Sequence, residues 1–291
     1  MNPNRCPVCG DGFANSGACA GCGYRPERIS GFDCYAPDLA REGGGYDAKH
    51  YATLAELEAR NFWFRARNEL ILHALRKYCP DMQSFLEIGC GTGFVLSAVR
   101  EDYPSAETMG SEIFVEGLEH AAQRLPSTHL VQMDARSLPY DRVFSAIGAF
   151  DVIEHIDQDT EVLAEIHRAL ADRGLVVLTV PQHPWLWSAQ DEHAHHVRRY
   201  ARKELVGKVR SAGFEILMVT SFVSMLLPAL MLSRLKGKAA ADDANPFREF
   251  EIPGWLNGIL YRCMMLDVSL IKAGLQLPAG GSLLLVARKE S

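Results

Sequence analysis

The sequence predicts an α/β protein in which helices cover both faces of a mostly parallel β-sheet. Between residues 46 and 222, short apolar runs alternate with longer stretches whose apolar residues recur at helical spacing. That alternation is typical of βαβ units, which place parallel strands side by side. A glycine-rich turn, FLEIGCGTG at 85–93, stands where the first apolar run gives way to a helix. In doubly wound sheets, a turn at this place faces the ligand.

The elements can be assigned in order from their apolar spacing and turn residues. We predict strands at 84–88, 107–111, 129–133, 143–150, 174–180, 214–220 and 281–289, and helices at 47–78, 94–101, 115–124, 159–171 and 202–212. An apolar, helix-like insert at about 223–278 precedes the last strand, and its polar stretch KGKAAADDANPFRE predicts a loop. Before the sheet, residues 1–30 are rich in cysteine and glycine, and residues 31–45 resemble a linker. The main domain is therefore expected to span 46–291.

Composition excludes few classes of function. The chain has 291 residues, 48% of them hydrophobic, with a net charge of −6, which is normal for a globular protein with a sizeable core. An acidic chain has no bulk attraction to nucleic acid, so we do not expect a nucleic-acid partner. The sequence has no signal-peptide pattern and no membrane-spanning apolar run. We therefore expect a cytoplasmic protein whose eight cysteines are reduced or bound to metal.

The residues around the glycine turn indicate a nucleoside-containing ligand. Gly89, Gly91 and Gly93 would allow the backbone to approach a ligand closely, and the helix that follows favours a negative group. Glu112 ends the second predicted strand, where a carboxylate suits a pair of ribose hydroxyls. Asp134 follows the third strand, where it could accept a hydrogen bond from an adenine amino group. All these features lie at the carboxyl edge of the sheet.

These motifs resemble those of class I S-adenosylmethionine (SAM)-dependent methyltransferases. The glycine turn corresponds to the first motif of that family, Glu112 to its ribose-binding acid, and Phe150–His155 to the segment after the fourth strand. The resemblance implies a Rossmann-like sheet of seven strands, with the last one antiparallel. It also implies a cofactor site that comprises Glu87, Gly89, Cys90, Gly91, Gly93, Glu112, Ile113, Met133, Asp134, Ala135 and Phe150. The alternative, a nicotinamide-binding domain, would require a G-x-G-x-x-G turn, which is absent.

The segment before the first strand is rich in aromatic residues and arginine. It reads NFWFRAR at 61–67. In similar methyltransferases this helix covers the cofactor, so Arg67 or Arg65 could reach the methionine carboxylate and Trp63 could form a wall of the pocket. Simple core packing is the alternative, because an aromatic stripe on a helix usually lies in the core.

The N-terminal cysteines predict a zinc ribbon. Cys6 and Cys9 form one C-x-x-C-G turn, and Cys19 and Cys22 form another. Two such turns can present four thiolates to one tetrahedral zinc ion, and a closed four-cysteine site is structural. The alternatives are a reduced, flexible tail and, less in keeping with two matched pairs, a redox pair.

Candidate catalytic residues follow the fourth and fifth predicted strands. Asp151, Glu154 and His155 come first, and His196 lies in the histidine-rich stretch after the fifth strand. His155 could serve as a base for methyl transfer. Alternatively, Asp151, Glu154 and His155 could hold a second divalent metal, with His196 as a further ligand. The E-x-x-E-H segment of ubiquinone-pathway and small-RNA O-methyltransferases is similar, although Asp stands first here. A purely positioning role is the third alternative.

Other features bear on the acceptor and the partners. Arg198 and Arg199 could clamp a phosphate or carboxylate, or could instead pair with the acidic residues 191–192. The apolar insert could roof a pocket, form a homodimer face or contact a membrane peripherally. We expect methyl transfer to the oxygen of a small, partly apolar acceptor. A methyltransferase that reads a macromolecule through the ribbon, and a non-catalytic SAM-binding interaction protein, are the alternatives.

Overall fold

The computed structural model describes residues 1–14, 17–42, 48–236 and 252–290. Its strands form one sheet in the order β1-β2-β5-β4-β3-β6-β7-β9-β8. The strands are β1 (Glu27–Ile29), β2 (Phe32–Cys34), β3 (Ser84–Ile88), β4 (Glu107–Glu112), β5 (His129–Gln132), β6 (Phe144–Phe150), β7 (Leu170–Pro181), β8 (Phe214–Phe222) and β9 (Ser282–Lys289). β9 runs antiparallel between β7 and β8, which confirms the predicted direction of the last strand.

The prediction of seven strands was wrong, because a short N-terminal hairpin extends the sheet to nine. β1 and β2 pair around Ser30 and Gly31, which both have positive φ, as a two-residue hairpin turn requires. β2 then pairs in parallel with β5, so that Cys34 lies opposite Gln132. Strands of three residues are too short to show a period of two, so the sequence pattern did not reveal them.

Helices cover both faces of the sheet. They are α1 (Pro37–Glu42), α2 (Ala48–Glu58), α3 (Phe62–Tyr78), α4 (Phe94–Asp102), α5 (Val115–Arg124), α6 (Asp159–Ala169), α7 (Ala189–His193), α8 (Arg202–Ser211), α9 (Leu227–Lys236) and α10 (Gly254–Lys272). The predicted helix at 47–78 is two helices, because Asn61 caps α3: its side-chain oxygen accepts a hydrogen bond from the Trp63 amide at 2.9 Å. The predicted linker at 31–45 contains β2 and α1.

The core lies on both sides of the central strands. One layer joins α3, α4, α5 and α10 to the sheet, and the other joins α6 and α8. On β7, Val177 faces the first layer while Val176 and Leu178 face the second. Strands buried on both faces require continuous apolar runs, which explains why GLVVLTV does not alternate with polar residues. Each such fully buried side chain contributes about 1.5–3 kcal/mol.

The apolar insert folds as α9 and α10. α10 packs along α3, where the Arg65 guanidinium lies 4.2 Å from the centre of the Tyr261 ring and Lys272 pairs with Glu69 at 3.2 Å. None of the described helices is long and apolar enough to cross a membrane. The predicted loop KGKAAADDANPFRE lies almost entirely outside the described residues.

Candidate active site

A cavity of about 810 Å³ opens at the carboxyl ends of β3, β4, β5 and β6. This is the edge where doubly wound sheets bind their ligands. All but one of the residues predicted to contact the cofactor line it: Glu87, Gly89, Cys90, Gly91, Glu112, Ile113, Met133, Asp134, Ala135, Phe150 and Arg67. The exception is Gly93, which precedes α4 with φ +76° and packs against Ala121.

The glycine turn needs its glycines for two different reasons. At Gly89, φ is +67° and a Cβ atom would lie 2.5 Å from Cγ2 of Val152, so both the backbone and the packing require glycine. At Gly91, φ is +49° and a Cβ atom would project into open space. That space belongs to the cavity, which Gly91 lines. Glycine at this position therefore leaves the backbone accessible to a ligand.

Glu112 is held against the glycine turn by backbone amides. Its Oε2 atom accepts a hydrogen bond from the Gly91 amide at 3.0 Å, and Oε1 accepts one from the Ile113 amide at 2.8 Å. The residue is only 8% exposed, and burial raises the pKa of its carboxyl group while the hydrogen bonds from Gly91, Ile113 and Phe114 oppose that rise. The side chain thus has one fixed orientation at the end of β4.

Asp134 forms an ion pair within its own turn. Its carboxylate accepts hydrogen bonds from the Arg136 guanidinium at 2.8–3.0 Å, and its Oδ1 also accepts the Arg136 amide at 2.9 Å. Both residues line the cavity beside Met133 and Ala135. The arrangement fixes the edge of the cavity that continues from β5.

Two buried charged side chains lie at the base of the cavity. Glu87, at the end of β3, is 3% exposed and its Oε2 atom has no hydrogen-bond partner. Burial raises the pKa of Glu87 well above its usual value, and Arg67 opposes that rise. Arg67 pairs with Asp151 through Nη1, its guanidinium lies 4.5 Å from the centre of the Trp63 ring, and its Nε has no partner. Thr179 also donates a hydrogen bond to Asp151, at 3.1 Å.

The predicted catalytic group divides in the structure. Glu154, His155 and His196 form a cluster whose ligand atoms all lie within 4.8 Å of one another. Asp151 does not belong to this cluster, because it pairs with Arg67. A pairing between residues so distant in sequence leaves no local sequence signal.

The cluster contains a fully buried carboxyl group. Glu154 is 0% exposed and neither of its carboxyl oxygens has a hydrogen-bond partner. Burial raises its pKa well above the usual value, and Asp151 adds to this effect. The His155 ring lies deep in the structure but opens onto the cavity, and its burial, with His196 beside it, lowers its pKa to about 4. His155 is therefore neutral at neutral pH.

The loop after β7 is held by a buried aspartate. Asp191 is 0% exposed and accepts hydrogen bonds from Nδ1 of His196 at 2.9 Å and Nε of Arg199 at 2.7 Å. Burial alone would raise the pKa of Asp191, but these partners lower it to about 2. Arg198 instead pairs with Asp159 at 2.7 Å. The structure thus favours pairing within the loop over a free arginine clamp.

A network beneath the glycine turn was not predicted from the sequence. Glu58 at the end of α2 accepts a hydrogen bond from the Thr92 hydroxyl and pairs with Arg124 at 3.1 Å. Arg124 also donates to the Thr92 carbonyl oxygen at 3.1 Å. Glu58 is 5% exposed and lines the cavity. No motif marks these residues, because the network joins two helix ends to the turn through tertiary contacts.

The outer part of the cavity is apolar. Phe62, Trp63 and Phe64 form one side, and Leu226 and Leu230 of the insert form another. Arg65, the alternative to Arg67, contacts Tyr261 on α10 and does not line the cavity. The insert therefore contributes directly to the cavity wall.

The four N-terminal cysteines converge outside this cavity. Their ligand atoms lie within 4.8 Å of one another, with Sγ–Sγ distances of 3.7 Å for Cys6–Cys22 and 3.3 Å for Cys9–Cys19. Each pair uses the same turn, in which the Gly10 amide donates to the Cys6 carbonyl and the Gly23 amide to the Cys19 carbonyl. Four thiolates at such separations match the donor set of a tetrahedral zinc site.

Comparisons with known proteins identify the family. A family model described as a methyltransferase domain matches residues 57–219, which is more than half of the chain. The chain belongs to this methyltransferase family.

The listed relatives and solved structures agree with this assignment. The chain is 25% identical over 167 residues to a Mycolicibacterium smegmatis protein named "Probable S-adenosylmethionine-dependent methyltransferase", covering 56% of this chain and 63% of that protein. It is 30% identical over 119 residues to dTDP-3-amino-3,4,6-trideoxy-alpha-D-glucopyranose N,N-dimethyltransferase of Streptomyces venezuelae, covering 40% and 48%. The chain thus spans less than two thirds of the length of these relatives.

A solved structure shares the fold. Phosphoethanolamine N-methyltransferase 2 of Haemonchus contortus, in complex with phosphomonomethylethanolamine and S-adenosylhomocysteine, superposes with a TM-score of 0.58. The two chains are 16% identical, and the match covers 87% of this chain and 60% of the other.

The residues in the cavity fit SAM. Glu87 offers a buried carboxyl oxygen without a partner, Glu112 offers a fixed carboxylate, and the backbone at Gly91 faces open space. These groups are suited, in that order, to an ammonium, to ribose hydroxyls and to close backbone contact.

Proposed function

We propose that the protein is a SAM-dependent methyltransferase that acts on a small, partly apolar acceptor. The observation that carries this proposal is the position of Glu112, which lies against the glycine turn at the edge of a large cavity. The family membership supports it. A titration with S-adenosylhomocysteine, described at the end of the Discussion, tests it.

The cofactor would be held from one end of the cavity to the other. Glu112 would accept hydrogen bonds from the ribose hydroxyls, and the segment Met133–Ala135 would contact the adenine. Glu87 would accept from the ammonium of the methionine part, and the partnerless Nε of Arg67 could donate to its carboxylate. When bound, SAM supplies an electrophilic methyl group. Its held orientation would convert an intermolecular displacement into an effectively unimolecular one.

The chain's own residues would prepare the acceptor. The neutral ring of His155 opens onto the cavity and could take the proton that the acceptor loses. Leu226 and Leu230 would exclude water from the reacting atoms and contact the apolar part of the acceptor. His196 is oriented by Asp191 and lies 4.7 Å from the ring centre of His155. It would therefore help to position that base.

We propose nitrogen rather than the expected oxygen as the acceptor atom. An amine gains positive charge as it is methylated, and Glu154, next to His155, would stabilise that charge. The same carboxyl group would oppose the negative charge that develops on a hydroxyl oxygen. Two relatives are named as N,N-dimethyltransferases of amino sugars, which supports this choice.

Paired acceptors would test the choice of atom. An amino-sugar nucleotide and the parent sugar nucleotide, which carries a hydroxyl in place of the amine, are compared by S-adenosylhomocysteine release. Turnover of the amine alone is expected. Turnover of the hydroxyl compound alone would restore oxygen as the acceptor atom.

A divalent metal at Glu154, His155 and His196 is the second candidate for this cluster. Two imidazoles and a carboxylate suit Mn²⁺ or Zn²⁺, and the three side chains do converge. Asp151, which the sequence analysis placed in this set, would contribute only after leaving Arg67. Loss of turnover in EDTA, with recovery on addition of Mn²⁺, would support the metal. Unchanged turnover would remove it.

We propose a structural zinc ion at Cys6, Cys9, Cys19 and Cys22. Purified protein should contain about one equivalent of zinc, and Cys9→Ser should lower that content. Zinc well below one equivalent, with no further loss in Cys9→Ser, would exclude the site. Since a segment of this size buries little core, its folding should depend on the metal.

The insert is proposed to roof the acceptor end of the cavity. A homodimer face and peripheral membrane contact remain alternatives, because Trp255, Ile259 and Leu266 on α10 are exposed. Co-sedimentation with vesicles would support membrane contact, and its absence would remove it. The ribbon as a reader of macromolecules, and a non-catalytic SAM-binding role, would gain support if no small acceptor were methylated. A cytoplasmic location stays a prediction.

A further inference from the structure

One wall of the proposed cofactor site consists of residues 133–136, between β5 and β6. All four side by side line the cavity: Met133, Asp134, Ala135 and Arg136. Both ends of this stretch are fastened to the N-terminal segment, defined here as the described residues up to 42. This attachment suggests a role for the cysteine cluster in the cofactor site.

At the first end, Gln132 joins the N-terminal segment to the cavity. Gln132 is 0% exposed, and its side-chain amide exchanges two hydrogen bonds with the backbone of Ala36, at 3.1 and 2.8 Å. The same amide donates to the Ile113 carbonyl at 3.1 Å, and the Tyr35 amide donates to the Gln132 carbonyl at 2.8 Å. Ile113 is the residue whose amide holds Glu112.

At the other end, residues just before the first cysteine hold the loop. The amides of Asn4 and Arg5 donate to the Pro139 carbonyl at 3.1 and 3.3 Å. The Asn4 side chain also makes two hydrogen bonds to the backbone of Asp141, at 2.8 and 2.7 Å. A second cleft between the ribbon and this loop is lined by both Cys6 and Arg136. Arg136 therefore separates the cofactor cavity from the ribbon.

The cysteine cluster fixes these contacts in place. Cys6 directly follows Asn4 and Arg5, so a metal bound by the cysteines would hold these residues at the loop. The ribbon also touches the hairpin, since the Tyr24 hydroxyl donates to the Tyr35 carbonyl at 3.4 Å. Since a segment this short has little core of its own, loss of metal would release both attachments.

We propose that the N-terminal segment is a zinc-dependent brace for the nucleoside end of the cofactor cavity, with Gln132 as the residue that positions this wall. The proposal rests on the proposed function, because the brace acts on the SAM site. Zinc occupancy would then set cofactor affinity without any contact between zinc and cofactor. Ordering of the wall on binding would weaken affinity in the zinc-free protein.

The experiment compares zinc-loaded and zinc-depleted full-length protein. Zinc is removed by dialysis against a chelator, its content is measured, and S-adenosylhomocysteine is titrated by calorimetry. We expect the Kd to rise at least fivefold without zinc and to recover when zinc is restored. Amides at 132–139 should exchange faster in the depleted protein, while those of β7 should not. A Kd within twofold of the loaded protein, at negligible zinc content, would overturn the brace.

Two substitutions test the attachments while the cysteines stay intact. Gln132→Leu removes the buried amide, and Asn4→Ala removes the exposed link should Gln132→Leu fail to fold. Both are expected to raise the Kd at least threefold while keeping full zinc content. Gln83→Leu is the control, because the side-chain amide of Gln83 donates only to its own turn at Asp81. An unchanged Kd in Asn4→Ala and in folded Gln132→Leu would contradict the proposal.

The outcomes separate this inference from the proposed function. If zinc-loaded wild-type protein does not bind S-adenosylhomocysteine, the proposed function fails and the brace fails with it. If it binds with equal affinity whether or not zinc is present, only the brace fails.

Discussion

Oε2 of Glu112 lies 3.0 Å from the amide nitrogen of Gly91, so the acid that ends β4 is fixed against the turn that follows β3. These two residues belong to different strands, which are neighbours in the sheet. Their contact joins the two features that the sequence indicated separately, the glycine turn and the acid. The predictions below follow from this edge of the sheet and from the side chains around it.

Gly89→Ala and Gly91→Ala should have different effects, although both glycines have positive φ. At Gly89 the new Cβ would collide with Val152, whose branched side chain has little freedom, so we expect a loss of about 2 kcal/mol in stability. At Gly91 there is no collision, and we expect at most about 1 kcal/mol. Thermal unfolding measures the first effect. Equal melting temperatures for the two variants would contradict this reading.

Cofactor affinity should distinguish the same pair in the opposite direction. Because a Cβ at Gly91 would occupy space in the cavity, Gly91→Ala should weaken S-adenosylhomocysteine binding at least tenfold in folded protein. Calorimetry at a temperature well below unfolding measures this. Unchanged affinity would place the ligand away from the turn.

Asp191 should make stability depend on pH in the acidic range. Its folded pKa of about 2 lies below the unfolded value, so its ionised form stabilises the fold above pH 4. That contribution, of order 2 kcal/mol, should disappear as the pH falls through 2. Asp191→Asn should therefore be less stable than wild type at pH 6, and the gap should shrink at pH 3. A gap of the same size at both values would show that the charge of Asp191 is not the cause.

The insert can be tested as a roof with two leucines on α9. Leu230 lines the cavity, whereas Leu232 is 60% exposed. Leu230→Trp should lower kcat/KM for the acceptor at least tenfold, because it narrows the apolar end of the cavity, and should leave S-adenosylhomocysteine affinity within twofold. Leu232→Trp is the matched control and should change neither. Equal loss in both variants would argue for an outer surface rather than a roof.

Much of the fold could be predicted because its signals are local. The strand at 84–88 and the helix at 115–124 were predicted with the bounds that the structure shows, since turn residues delimit both. The hairpin Glu27–Cys34 was missed because each of its strands has three residues, although the Ser30-Gly31 turn was a usable signal. The break before α3 was missed because apolar spacing continues through it; only the cap at Asn61 marks it.

The site was predictable only where chain position determines spatial position. Residues at the ends of neighbouring parallel strands meet at one edge, which is how Glu112 and the glycine turn could be placed together. The pairing of Arg67 with Asp151, and of Glu58 with Arg124, joins residues on different elements. Such pairings depend on how helices dock on the sheet, and a single sequence carries no local pattern for them.

The most direct test is a calorimetric titration of S-adenosylhomocysteine into zinc-loaded protein, with Glu112→Ala alongside. The account predicts saturable binding by the wild type and a Kd at least tenfold higher in the variant, equal to about 1.4 kcal/mol of lost binding free energy. Glu112→Gln should lie between them, because it keeps one oxygen acceptor. If well-folded, zinc-loaded wild-type protein does not bind, or if Glu112→Ala binds equally well, the cavity at this edge of the sheet is not the cofactor site.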